Sequence, residues 1–276
     1  MSDAPLIVPA DGLYTPEIKK HSLEKIRLHN RYAAIFATAM HKKWNRLAYV
    51  GLYAGAGHAG VVGTSDIVET SALSVLRQAT PFTDYVYVDH DIACVDALRA
   101  RVEPLKGNAR VTILHSDVND SAEAVRRCLP PFRNGLLSFC FVDPFDLQFR
   151  FETLRALSDL RMDFLVLLML GVDARRNFKQ YRADETSTRI GDLIDCPTWR
   201  REYPENGKVV HFLLDRFDRA MQRVGYLSAA DDAHMVKIPG MGVMLYVLAF
   251  YSKHPTGKVF WQQTRASLSA QLGFGL

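Results

Sequence analysis

Five places in the chain put residues able to do chemistry at the end of an apolar run. The first is "GLYAGAGHAG", residues 51–60, which follows "LAYV". Glycine at this density lets a backbone lie directly against a ligand, because no Cβ stands between them. The second is "YVYVDHD", which places Asp89 and His90 after another apolar run. A carboxylate there can accept hydrogen bonds from both hydroxyls of a ribose. The third is "LHSDVND", where Asp117 is placed to reach the amino group of an adenine, with Leu114, His115 and Val118 flanking the ring. The fourth is "CFVDPFDLQ". Its Asp143 can accept a hydrogen bond from an amine, Pro144 stiffens the turn, and Phe145 can stack on a flat group. The fifth is "GVDARRNFKQY", with Asp173, Arg175, Arg176 and Asn177 beside the same region. Arginine pairs bind phosphate or carboxylate bidentately.

Four of the five places have a plainer alternative. The glycines can form a turn without a ligand. Asp117 or Asn119 can N-cap a helix beginning near Ser121. Asp143 can serve as an acceptor inside a rigid turn, and Asp173 can cap a solvated helix. The nine histidines are dispersed, with no H-E-x-x-H spacing, and Cys94, Cys128, Cys140 and Cys196 form no C-x-x-C pair. No metal site or disulfide framework is expected. The chain also lacks a G-x-S-x-G elbow and a Walker sequence, which argues against a hydrolase or a phosphate-loop ATPase.

The elements that must position these residues alternate. The strands read as "RLAYVGLY" (46–53), "DYVYVD" (84–89), "RVTILHS" (110–116), "LLSFCFVD" (136–143) and "DFLVLLML" (163–170). Helical patterns are predicted at roughly 65–79, 92–104, 120–129 and 150–159. Nearly continuous apolar strands separated by helices indicate an α/β, doubly wound, Rossmann-like and mostly parallel sheet. Ligands bind such sheets beyond the carboxyl ends of the strands, where strand order reverses. The gap from Gly57 to Asp89 is 32 residues, longer than the ~20 usual in dinucleotide folds. The loop "HAGVVGTSD" accounts for the excess, with Gly60 and Gly63 making it flexible and Thr64 or Ser65 capping the helix after it. Further on, "VVHFLLDRFDRAMQRVGY" (209–226) has helical periodicity and stops at Gly225. "HMVKI" and "VMLYVLAFYS", separated by "PGMG", read as an antiparallel hairpin.

The 276 residues, 48% of them apolar, suffice for one large domain with appendages. Residues 1–45 read as an N-terminal helical extension, 46–265 as the Rossmann-like domain and 266–276 as a C-terminal tail. Residues 171–206 form an inserted polar segment. Net charge is +4. Between Glu17 and Arg46 lie eight basic residues: Lys19, Lys20, Lys25, Arg27, Arg31, Lys42, Lys43 and Arg46, opposed only by Glu17 and Glu24. They form either a phosphate-binding or partner-binding face or a solvated helix surface. With no long apolar run and no signal-peptide pattern, neither a membrane nor a secretory destination is expected, and the cytoplasm is the default compartment.

Five strand–helix units closed by an antiparallel pair resemble the seven-stranded sheet of the class I methyltransferases, whose final strand is antiparallel. The order of "HNRYAAIF", "GLYAGAG", "GTS", "YVYVDHD", "FVDPFDLQ", "VLLMLGVDARRN" and "KHPTGKVFW" is similar to that of the three-Cys-motif partner proteins (TcmP), over about residues 17–265. That resemblance implies a methyltransferase using S-adenosylmethionine as cofactor. The implied cofactor set is Tyr53, Ala54, Gly55, Gly57, Asp89, His90, Asp117 and Val118. Asp143, Pro144 and Phe145 would face the acceptor as the catalytic turn, and Asp173, Arg175, Arg176 and Asn177 would bind substrate. The implied partner is a three-cysteine-motif protein encoded nearby. A nitrogen of a nucleic acid or other phosphate-bearing molecule is the expected acceptor.

Three positions depart from the family pattern. Gly51 stands where the family has an acid for the cofactor's amino group, Ala56 replaces a proline, and Asp146 replaces a glycine. Losing that acid would remove a charge-assisted hydrogen bond of about 1.5–3 kcal/mol. This favours, as an alternative, a catalytically inactive binding partner that retains the fold. A nucleotide-dependent oxidoreductase is a third reading.

Overall fold

A computed structural model describes residues 5–131, 135–205, 207–238 and 242–273. Ahead of the main sheet run two short strands, β1 (Ile7–Val8) and β2 (Glu17–Ile18), then one helix, α1 (Ser22–Met40). The glycine-bearing strand is β3 (Arg46–Leu52), followed by β4 (His58–Val61), β5 (Ile67–Glu69) and a single turn of helix, α2 (Ser71–Ser74). Next come β6 (Asp84–Asp89), α3 (Ile92–Val102), β7 (Arg110–His115), α4 (Ala122–Cys128), β8 (Leu136–Val142), α5 (Phe151–Leu157) and β9 (Met162–Leu168). Three helices, α6 (Arg175–Ala183), α7 (Arg189–Ile194) and α8 (Trp199–Glu202), lead to α9 (Val209–Arg223). The chain closes with β10 (His234–Lys237), β11 (Met244–Tyr251) and α10 (Pro255–Gly273). The expected turn at Pro239–Gly240 lies outside the described residues.

The main sheet has seven strands in the order β10-β11-β9-β8-β3-β6-β7. Strands β7, β6, β3, β8 and β9 pair in parallel, while β11 is antiparallel to both β9 and β10. With the parallel strands counted from β3, this is the order of the class I methyltransferase sheet, with the last strand reversed and inserted beside the fifth. Strand order reverses between β3 and β8, so their carboxyl ends open the crevice where such folds bind ligands.

Alternation along the strands separates two cores. One face carries Val50, Val86, Val88, Cys140, Val142 and Val166, packed under α4, α5 and α9. The other is aromatic: Tyr49, Tyr85, Tyr87, Phe139 and Phe141 lie under Tyr32 and Phe36 of α1. The segment between β9 and α9 is not purely polar. Ile190, Leu193, Ile194, Trp199 and Tyr203 are buried and join the first core.

The helix expected at 65–79 is reduced to the single turn α2 (Ser71–Ser74). "HAGV" and "IVE" pair instead as an antiparallel hairpin, and β1 and β2 complete a second sheet in the order β1-β5-β4-β2. The physical reason lies in "VVGTSDIVE". β-Branched residues flank a turn sequence, and Gly63 takes φ +80° in that turn. Thr64 caps no helix; its hydroxyl donates to the Val61 carbonyl, and the Asp66 amide donates to it. The "flexible" loop is thus a paired strand.

His29 of α1 is fully buried against the aromatic face, 4.7 Å from the Phe141 ring centroid. The Tyr49 hydroxyl and the imidazole Nε2 lie 2.9 Å apart. Burial lowers its pKa from the ordinary 6.5 to about 4, so the folded chain holds it neutral. Between those values the unfolded chain takes up a proton that the folded chain refuses. Stability therefore falls as pH drops from 6.5 to 4, by about 2–3 kcal/mol from this group. Urea denaturation across that window checks this, with His29→Gln expected to show a correspondingly smaller loss.

Candidate active site

The glycine turn leaves β3 at the switch point and is fixed from three sides. The Ala54 amide donates to the Val88 carbonyl at 3.0 Å. The Gly55 amide donates to Asp89 Oδ2 at 2.7 Å. Behind the turn, the Arg101 guanidinium donates to the Ala56 carbonyl at 2.7 Å. Arg101 also grips both oxygens of Asp11 and the carbonyls of Leu13 and Tyr14. One buried side chain of α3 therefore ties the segment joining β1 and β2 to the back of the loop. A buried guanidinium is tolerated because its donors are widely used. His58, within 3.3 Å of Asp11, belongs to this same tie.

The two loop glycines differ in what their bare sides meet. Gly55, at φ +67°, has open space where a Cβ would project. A Cβ on Gly57 would stand 2.8 Å from Leu73 Cγ, so core packing requires glycine there. Tyr53 adopts φ +62°, unusual for a residue with a side chain, and its ring packs edge-on against Phe149. Burial raises the Tyr53 pKa.

Asp89 is 5% exposed and ends β6. One oxygen holds the Gly55 amide and the other holds the Asp91 amide at 3.0 Å. Each carboxylate oxygen has two lone pairs, so two acceptor positions remain for a ligand's hydroxyls. His90 is exposed; its carbonyl lies 3.0 Å from His115 Nε2. Asp117 accepts the Asn119 amide at 2.8 Å and caps a short 3-10 turn, Val118–Asp120, in which Val118 is buried. Asn119 in turn bonds the Gln148 carbonyl and the Arg150 amide, joining the loops after β7 and β8.

Asp143 stands at the end of β8, beside β3, with Pro144 buried behind it and Phe145 76% exposed. Sequence reasoning missed its partner. Lys25 Nζ of α1 lies 2.7 Å from both Asp143 oxygens. Nearby, Glu24 holds His234 Nε2 at 2.7 Å, and the Tyr246 hydroxyl donates to the His21 carbonyl. The N-terminal turns of α1 are thereby bound to β8, β10 and β11 at the mouth. The basic stretch is correspondingly not one face: Lys25 is spent on Asp143, and Arg46 pairs at the far end of the sheet with buried Asp84.

Asp173 does not cap a solvated helix. It sits in a π-helical turn, Leu170–Ala174, and accepts from the Leu147 amide, Asn177 Nδ2 and the Tyr181 hydroxyl. Asp173 and Asn177 therefore brace the loop that carries Asp143 and Phe145, while Arg175 and Arg176 face solvent. Only glycine fits in this irregular turn at position 171, where a Cβ would stand 2.2 Å from the Met244 carbonyl oxygen.

Gly51 is not simply a missing acid. Its bare side faces the aromatic core, where a Cβ would stand 3.0 Å from Tyr87 Cδ1 and 3.3 Å from Tyr49 Cε1. Tyr87 is anchored there by its hydroxyl, which donates to the Ala72 carbonyl at 2.7 Å. The glycine makes room for those rings. The signal was legible: Tyr49, Gly51, Tyr85 and Tyr87 share one face by alternation, and Gly51 pairs with Tyr87.

No protein-family model matches the chain, and no curated protein matches it in sequence. Solved structures similar to it include protein LPL1258 from Legionella pneumophila, at 11% identity over 86% of this chain and 90% of that one, with a TM-score of 0.48. Pyrococcus horikoshii TYW2 in complex with MeSAdo matches at 11% identity over 92% and 73% of the two chains, with a TM-score of 0.41. An O-methyltransferase from Bacillus cereus in complex with SAH matches at 12% identity over 84% and 87%, with a TM-score of 0.43. The fold assignment rests on the strand order itself.

Placing an acid at position 51 is expected to harm the protein. Gly51→Asp overpacks the aromatic face and should lower stability by at least about 1–3 kcal/mol. Chemical denaturation checks this; unchanged stability would contradict the packing account.

Proposed function

We propose that this protein is an S-adenosylmethionine-dependent methyltransferase. The observation that carries the reading is Asp89. A nearly buried carboxylate ends the strand next to the glycine turn, is held by one amide on each oxygen, and keeps two acceptor positions for ribose hydroxyls. The open side of Gly55 supports close approach of the same ligand. S-adenosylmethionine supplies an electrophilic methyl group when bound, and the chain's own residues then position the acceptor.

The acceptor we assign is a nitrogen on a nucleic acid or another phosphate-bearing molecule. Phe145 is an exposed aromatic beside Asp143, and α6 begins near the same mouth with Arg175, Arg176 and Lys179 exposed. An aromatic platform beside solvent-facing cations suits a flat ring attached to phosphate. Lys25 compensates the charge of Asp143, so Asp143 acts here as an oriented acceptor for the incoming amine rather than as a free base. The order of motifs supports membership of the three-Cys-motif partner proteins, with the three-cysteine protein as a working partner and the cytoplasm as the setting.

The same ion pair favours a second reading, a methyltransferase fold retained as a binding partner without catalysis. Lys25 occupies both oxygens of the acceptor-side carboxylate. The two readings diverge in one experiment. Titration calorimetry of the full chain with S-adenosylmethionine and with its demethylated product should show saturable one-site binding. Asp89→Ala, checked for folding by circular dichroism, should weaken it by at least about tenfold. No heat with either compound overturns the enzyme reading. Binding without methyl transfer to DNA or RNA, together with co-purification of the three-cysteine protein that survives Asp143→Ala, selects the second.

A further inference from the structure

A second pocket lies at the opposite edge of the sheet, where the parallel strands begin. It encloses about 440 Å³, within the usual size of small-molecule sites. Its apolar wall includes Phe36 and Met40 from the end of α1, Trp44 from the turn after it, and Phe260 from α10. Asp163, near the start of β9, lines the same pocket.

Asp163 is built into place rather than left at a surface. The Tyr32 hydroxyl, on a fully buried side chain, donates to Asp163 Oδ2 at 2.9 Å. The Ser252 hydroxyl lies beside it, donates to the His254 carbonyl at 3.1 Å and helps offset the cost of burying the carboxylate. The first turn of α10 comes so close that a Cβ on Gly257 would stand 2.4 Å from Ser252 Oγ and 3.1 Å from Asp163 Oδ2. Burial raises the Asp163 pKa to about 6, and the hydrogen bonds that offset burial come from neutral hydroxyls. A desolvated carboxylate held in this way gains most from a cationic donor that enters the pocket. Aromatic walls favour the same guest, because ring faces attract cations and shelter its hydrocarbon body.

The lining also carries positive charge. Lys43 is exposed and lines the pocket, as do Arg161, which lies over the Trp44 ring, and Lys253. A simple amine would enter past these cations unassisted. A ligand with an anionic group at its outer end would be drawn in by them.

We propose that this pocket is a second ligand site, separate from the carboxyl-end mouth, for a small zwitterion. Its amine binds Asp163, its apolar or aromatic body lies among Phe36, Met40, Trp44 and Phe260, and its carboxylate or phosphate meets Lys43. The assignment does not depend on the methyltransferase reading, since no residue is shared between the two sites.

Amide-shift NMR titration of the full chain tests it with three probes. These are 4-(2-aminoethyl)benzoate, phenethylamine without the anion, and 3-phenylpropionate without the amine. The zwitterion should saturate at millimolar concentration, with shifts centred on 161–163 and 252–257. Asp163→Asn should weaken its binding by at least about tenfold. Met40→Trp fills the pocket without touching the carboxyl group and should also block binding, so the proposal stays testable if Asp163→Asn fails to fold. Both probes lacking one charge should bind more weakly. Failure of the zwitterion to saturate, shifts elsewhere on the chain, or binding unchanged in Asp163→Asn or Met40→Trp would overturn the assignment.

Discussion

The carboxylate of Asp89 is caught between two backbone amides, and the geometry of the mouth depends on that capture. One amide belongs to Gly55 in the turn after β3, and the other to Asp91 at the start of α3. A single side chain thus sets the distance between the glycine turn and the next strand end. The carboxylate is desolvated but not exhausted, because each oxygen accepts one hydrogen bond and can accept another. Arg101 reinforces the arrangement from behind. Its guanidinium holds the Ala56 carbonyl and the segment joining β1 and β2 together, so the turn is clamped at its front by an anion and at its back by a cation.

The acceptor side is built on a different principle. Asp143 and Phe145 lie on a loop braced through Asp173, and α1 is pinned across the mouth by Lys25, Glu24 and His21. Asp143 is partly accessible and paired through both oxygens with Lys25, whereas Phe145 is held out into solvent. The mouth therefore combines one rigid, desolvated acceptor with one charge-compensated acceptor and an exposed ring. That asymmetry suits a site that grips one ligand tightly and meets a second, larger one at its rim.

The parallel strands were legible because most are near-continuous apolar runs, and their parallel direction followed from the helices between them. Asp89, Asp117 and Asp143 were likewise placed at strand ends by local pattern alone. The short hairpin at 58–69 was not, because strands of four and three residues carry little periodic signal and "SALSVL" beyond them reads as helix. The ties that define the site were invisible for a different reason. Lys25 and Asp143 are 118 positions apart, and Arg101 and Asp11 are 90 apart. No local spacing encodes such pairs. Gly51 shows an intermediate case: the sequence displayed the glycine, but its meaning came from the tyrosines beside it on the same sheet face.

The central claim is that Gly55 and Asp89 form the floor of an S-adenosylmethionine site. A crystal structure of the full chain grown with the demethylated cofactor product tests it most directly. The account predicts the ribose hydroxyls within hydrogen-bonding distance of the Asp89 carboxylate and the ligand lying against the open side of Gly55. A ligand whose ribose binds elsewhere, or density only outside the β3–β8 crevice, would contradict it.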